Sequence, residues 1–163
     1  MALGGTATIV EVEGRRMMRL ARELPPEQFG ELLDVYHRLL LRILDEHGGS
    51  QAEVEGDTAS AAFAGAKEAA LAAVAMRRAV SEHDWPHGLQ PEVSIGLDSG
   101  EADNGRCAEL CDAAEGGQIF LSPVTAGLLE DEDLGGLSLR DLGEVRMRRS
   151  GRSVRAYELL GGG

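Results

Sequence analysis

The chain has 163 residues, a hydrophobic fraction of 43% and a formal net charge of -12, with a pI near 4.7. That length and apolar content suit a single domain over residues 1–163, with a folded core from about residue 6 to about 160, and argue against wholesale disorder. So negative a surface repels a nucleic-acid backbone and an anionic membrane, and neither is expected as a partner.

Aromatic residues make up only 4% of the chain, so the core is expected to be built from small and aliphatic side chains. No apolar run is long enough to span a bilayer, and Met1–Val10 lacks a signal-peptide pattern. The expected compartment is the cytoplasm. The glycines at Gly4-Gly5 and Gly161–Gly163 read as frayed ends.

Thr6–Val12 is β-branched and roughly alternating, which predicts the first strand. A short helix is expected over Arg15–Leu24, stopped by Pro25-Pro26, and those prolines open the longest helix, Glu27–Glu46. Phe29, Leu32, Leu33, Tyr36, Leu39, Leu40, Ile43 and Leu44 form its apolar stripe, and Gly48-Gly49 ends it. Gln51–Glu55 and Thr58–Phe63 read as a hairpin turning through Gly56-Asp57. Ala66, Ala69, Ala73, Met76 and Val80 then mark one face of an alanine-rich helix able to lie close to a sheet. The alternation of Val93, Ile95 and Leu97 predicts a strand over Glu92–Asp98. A helix near Arg106–Ala114, a strand at Gln118–Ser122, a helix opening with Ser122-Pro123 and two strands around Leu137–Met147 and Val154–Leu160 complete the chain. The order is an α+β fold: a ferredoxin-like βαββαβ core with an inserted helix, then an α-β-α-β-β extension. The long helix and the alanine-rich helix are expected on one face of a mainly antiparallel sheet.

Cys107 and Cys111 lie four apart on a predicted helix. No further Cys or His completes a tetrahedral metal set at a usual spacing, so they read as small buried apolar groups. His83 and His87 flank Trp85-Pro86 in a predicted surface turn. Arg146, Arg148, Arg149, Arg152 and Arg155 form a basic run in an acidic chain. Two readings stand: a solvated hairpin balancing acidic neighbours, or an anion- or partner-binding patch.

Several stretches together resemble the catalytic domain of class III adenylyl and guanylyl cyclases. Thr8-Ile9-Val10-Glu11-Val12-Glu13-Gly14 is similar to that family's first strand and turn, and Gly48-Gly49 with Val54-Glu55-Gly56-Asp57 to its Gly-Gly and Gly-Asp hairpin. Val93-Ser94-Ile95-Gly96-Leu97-Asp98-Ser99-Gly100-Glu101 resembles its Ile-Gly strand. Gly116-Gly117-Gln118-Ile119-Phe120-Leu121-Ser122 and Leu142-Gly143-Glu144-Val145 through Leu159 resemble its later strands. Any one motif is weak. Their order and spacing, from about Ala7 to Leu160, are specific.

The resemblance implies cyclisation of a nucleoside triphosphate by two metal ions held on two aspartates. Those positions carry Glu11, one methylene longer, and Asp57, which is equally the turn residue of a Gly-Asp hairpin. The purine-reading lysine falls on Glu53, the arginine that stabilises developing negative charge on Glu109, and its companion asparagine on Gly105. The stretch from Glu101 to Cys107 is shorter than in active members, and Asp103 and Asn104 do not fit the family pattern. Arg148 falls on a phosphate-binding lysine. Arg15 and Arg16 fall at the turn where the family's backbone cradles phosphates, with Arg15 expected to start a helix whose N-terminus favours anions.

A unit charge about 5 Å from another is worth roughly 3 kcal/mol at an effective dielectric near 20. Reversal at both Glu53 and Glu109 is therefore too much for Arg148 to offset. The expectation is a degenerate member: a pseudoenzyme that acts as a dimerisation, signalling or regulatory module, as a homodimer or with a partner domain. The alternative is a nucleotide- or anion-binding sensor using the arginines. The third reading is a weak metal-dependent cyclase. No cofactor is expected beyond Mg²⁺ or Mn²⁺ at a degenerate Glu11/Asp57 site.

Overall fold

The computed structural model describes residues 6–100 and 105–162, with Met18 described by its backbone alone. The chain runs β1 (Ala7–Arg15), α1 (Met17–Glu23), α2 (Pro26–Glu46), β2 (Ser50–Glu55), β3 (Thr58–Phe63), α3 (Ala66–Glu82) and β4 (Glu92–Gly100). It continues through α4 (Arg106–Ala113), β5 (Ile119–Leu121), α5 (Pro123–Leu129), β6 (Ser138–Arg146) and β7 (Ser153–Leu160). One sheet has the order β2-β3-β1-β4-β5-β7-β6. Among the described strands only the β4–β5 pair is parallel. The α+β expectation holds: β2-β3-β1-β4 is the ferredoxin-like order, α1 is the inserted helix, and α4-β5-α5-β6-β7 is the extension.

Strand alternation divides the sheet into two faces. Along β1, Thr8, Val10, Val12 and Gly14 are buried while Ile9, Glu11, Glu13 and Arg15 on the other side are half-buried. The buried side receives α2 and α3. Leu32, Tyr36, Leu40, Ile43 and Leu44 form the sunken stripe of α2. Ala69, Ala70, Ala72, Ala73, Met76 and Val80 form that of α3, whose small side chains let the helix lie close to β1 and β4. A fully buried leucine or methionine contributes about 1.5–3 kcal/mol before the cost of chain ordering, so these stripes fix both helices on one face.

The other face is only partly covered. Helix α4 lies over β4 and reaches β1 and β5. Its Leu110 and the adjoining Ala114 join Phe120, Met147 and Ala156 in a second, smaller cluster, separate from the main core. Through Met147, buried in that cluster, the β6–β7 hairpin is held to α4.

Four boundaries differ from expectation. Strand β1 runs on to Arg15, because β4 keeps pairing with it as far as Arg15↔Glu92. Consequently α1 begins at Met17, and Arg16 precedes it in the left-handed conformation with φ 66°. Strand β4 extends to Gly100 for the same reason, while β5 is short because only Ile119–Leu121 pair across to β4. Trp85 is a core residue beside its exposed histidine neighbours: it is buried and donates from Nε1 to the Val80 carbonyl at 2.8 Å.

Candidate functional site

Residues directly opposite in adjacent strands point to the same face, so the ladder fixes the neighbours of each carboxylate. Across β2, β3, β1 and β4 one row reads Glu53, Ser60, Glu11, Gly96, and the next reads Glu55, Thr58, Glu13, Ser94. All eight lie on the side away from α2 and α3. Over Gly96 and Ser94 sits α4. Beyond it, Glu11, Glu53 and Glu55 with Thr58 and Ser60 line a concavity of about 450 Å³. The structure thus joins Glu11 and Glu53, which the sequence placed in separate roles.

Asp57 stands outside that concavity, at the tip of the β2–β3 hairpin. Its carbonyl accepts from the Gly14 amide at 2.8 Å and from the Tyr36 hydroxyl at 2.9 Å. Gly14 has no room for a side chain: a Cβ there would fall 2.5 Å from Met17 Cγ and 3.1 Å from the Tyr36 oxygen. The Asp57 carboxyl is pushed above its ordinary range by burial, against the opposing pull of its own backbone hydrogen bond and of Arg15. Burial, with the Asp57 charge next, also drives the Tyr36 phenol far up, so this hydroxyl stays a neutral donor.

A two-metal centre needs carboxylates converging from both positions. Among the described residues no group of three or more His, Cys, Asp or Glu side chains converges on one point. Glu11 lines the concavity with Glu53 and Glu55, while Asp57 stands at the hairpin tip with its main-chain carbonyl held by Gly14 and Tyr36. Glu11 and Asp57 are thus two carboxylates that no third Asp, Glu, His or Cys joins among the described residues.

Helix α4 begins after Gly105, which holds φ 83°. Glu109 on that helix is paired with Arg152 at 3.0 Å, and Glu115 just past its end with Arg148 at 2.7 Å. Asp112 lies 3.9 Å from Arg149. The hairpin arginines thus face a row of carboxylates at helical spacing, which supports the charge-balancing reading of the basic run. Arg155 pairs with Asp141, and Arg146 closes β6.

Arg15 needs correction. It ends a strand instead of starting a helix, and its guanidinium donates to the carbonyls of Cys111, Asp112 and Ala114 at 3.1, 2.9 and 2.5 Å. Those are the orphan acceptors at the end of α4, so the charge caps a helix C-terminus. Arg16 is exposed at the turn before α1. The segment 101–104, including Asp103 and Asn104, lies outside the described residues.

Cys107 and Cys111 are buried thiols. Both face the sheet: Cys107 Sγ donates to the Gly96 and Ile9 carbonyls at 3.1 and 3.3 Å, and Cys111 Sγ to that of Ser94 at 3.3 Å. Burial, followed by Glu11 and Glu13, pushes the Cys111 thiol far up, with Ser94 and Arg15 opposing. A buried chain of hydroxyls escaped sequence reasoning: Thr8 to Ser99 at 2.8 Å, Ser99 to Thr125 at 2.8 Å, and Thr125 to Ser122 at 3.2 Å. Ser99 on β4 and Ser122 before α5 carried only strand and cap signals.

This architecture is the fold of the class III nucleotidyl cyclase catalytic domain. Adenylate cyclases of Trypanosoma brucei in their monomeric state superpose with a TM-score of 0.84 at 16% identity, over 94% of this chain and 87% of theirs. The adenylyl cyclase CyaB from P. aeruginosa gives 0.76 at 22% identity, over 96% and 94%. The guanylate cyclase domain from Catenaria anguillulae, solved with GTP, gives 0.83 at 14% identity, over 96% and 97%. No family model and no curated protein matches the chain.

Proposed function

We propose that this chain is a cyclase-fold module that forms no cyclic nucleotide and works by association, with a partner domain or a second copy. The observation that supports this best is the sign of the charges. Glu53 stands in the concavity beside Glu11, and Glu109 is bound to Arg152 on α4. Cyclisation needs cationic groups where negative charge develops, and these carboxylates oppose it. No helix among the described residues is long and apolar enough to cross a membrane. Nucleotide or anion sensing through the arginines has less behind it, because Arg148 is engaged by Glu115 and Arg15 by helix carbonyls.

The test incubates purified protein with ATP or GTP and Mg²⁺ or Mn²⁺, and separates products by chromatography. No cyclic AMP or cyclic GMP is expected. Metal-dependent product that disappears in Asp57→Ala would overturn the reading. Light scattering at tens of micromolar reports self-association, a two-fold pair being the commonest oligomer.

A further inference from the structure

We propose that the open face of β2, β3 and β1 docks an extended, arginine- or lysine-bearing segment of a partner protein. The proposal rests on the association role above and names the chemistry of the partner. On this side α4 covers β4 and part of β1, and among the described residues no helix follows over β3 and β2. Glu53 and Glu55 are exposed there, and Glu13 beside them has Arg15 at 3.9 Å. Glu11 completes a grid of four carboxylates in two ladder rows.

A second observation comes from β4. Its pairing with Ile9 turns Asp98 to the same face, one step along the strand from Gly96. Asp98 is only 8% exposed, and among the described residues its buried Oδ1 has no hydrogen-bond partner. A buried acceptor left unmatched carries a desolvation cost that an incoming N–H donor removes.

Geometry selects the shape of the occupant. Carboxylates two residues apart on a strand lie about 7 Å apart, the period of alternate side chains in an extended chain, and β1 and β2 are about 10 Å apart across β3. A segment with cations at every second position meets successive rows. A second copy of this chain is the poorer occupant. Its net charge of -12 repels an acidic face, and four of its five hairpin arginines already pair with Glu109, Asp112, Glu115 and Asp141.

The experiment measures fluorescence anisotropy of a labelled peptide alternating arginine and threonine, titrated with the full chain at low and physiological salt. The expected result is saturable binding that weakens about tenfold or more in the Glu53→Lys, Glu55→Lys double variant. The control, Glu130→Lys with Glu132→Lys, reverses two exposed charges elsewhere and should change affinity less than about threefold. Circular dichroism confirms that both variants fold. Equal losses in the two variants mean non-specific attraction and overturn the proposal, as does absence of saturable binding. A self-associating chain dissociated by Glu53→Lys would assign the face to a second copy and also overturn it. Absence of peptide binding with absence of cyclase turnover removes this inference and leaves the proposed function standing. Turnover with peptide binding does the reverse.

Discussion

Replacing Gly96 by alanine is expected to destabilise the protein by about 1–3 kcal/mol. A Cβ at this position would lie 2.5 Å from the Cys107 carbonyl oxygen, 2.6 Å from the Cys111 nitrogen and 3.1 Å from its Cα. Ordinary contacts need about 3.5 Å, so the clash is close to 1 Å. Its partners are main-chain atoms of α4, which no rotamer change can move aside. The helix must retreat as a body, which stretches the thiol hydrogen bond from Cys107 to the Gly96 carbonyl, now 3.1 Å, and loosens Leu110 in the second cluster. Urea unfolding followed by circular dichroism reads the effect. Gly30→Ala is the control: Gly30 is an exposed position inside α2 with nothing within 4 Å of a built Cβ, so alanine should stabilise by about 0.5–1 kcal/mol. A Gly96→Ala protein within about 0.5 kcal/mol of the parent would show that α4 does not rest on β4 as described.

Met147→Ala should cost about 2–4 kcal/mol in the same assay, since its side chain is 1% exposed in the second cluster, whereas Arg152→Ala, breaking a pair with its arginine 65% exposed, should cost less than about 1 kcal/mol. A larger loss at Arg152 than at Met147 would mean that charge, not packing, holds the hairpin. In the folded protein neither cysteine should react with a thiol-specific chromogenic disulfide, and both should react on denaturation; fast labelling of Cys111 would contradict its burial. Burial raises the Asp57 carboxyl above its ordinary 3.8, so the folded chain binds that proton more tightly than the unfolded one. Stability from this group is full in acid and is lost as pH rises through the raised value, so Asp57→Asn should gain more Tm over the parent at pH 7 than near pH 3.5, as thermal melts at both would reveal. An equal or smaller gain at pH 7 would contradict the burial of that carboxyl.

Elements with a strong period were legible in the sequence. The stripe of α2 was readable because every buried position except Tyr36 is aliphatic at helical spacing, and α3 because its buried positions are alanines with Val74, Met76 and Val80. Boundaries set by pairing were less so: nothing in Glu13-Gly14-Arg15 announces that β4 continues to pair there. The site was legible as positions but not as partnerships. Glu53 and Glu11 meet only because β3 is inserted between β2 and β1, a fact of topology and register. Arg15 was misread because its acceptors are carbonyls almost a hundred residues away, which leave no mark on side-chain pattern.

The fold and the chemistry rest on different residues, and that difference explains how the likeness persists at low identity. Gly14 and Gly96 are fixed by contacts under 3 Å that any side chain would violate, and Tyr36 by its bond to the Asp57 carbonyl. Changing them costs packing energy directly. Glu53 and Glu55 are exposed on strands, and Glu109 pairs with an arginine that is mostly exposed. Sign changes at such positions typically alter stability by less than about 1 kcal/mol, so the scaffold tolerates either charge. Catalysis is less tolerant than stability, because transition-state stabilisation depends on the sign and placement of charged groups. A likeness of fold at 14–22% identity therefore shows the architecture and says nothing of the reaction.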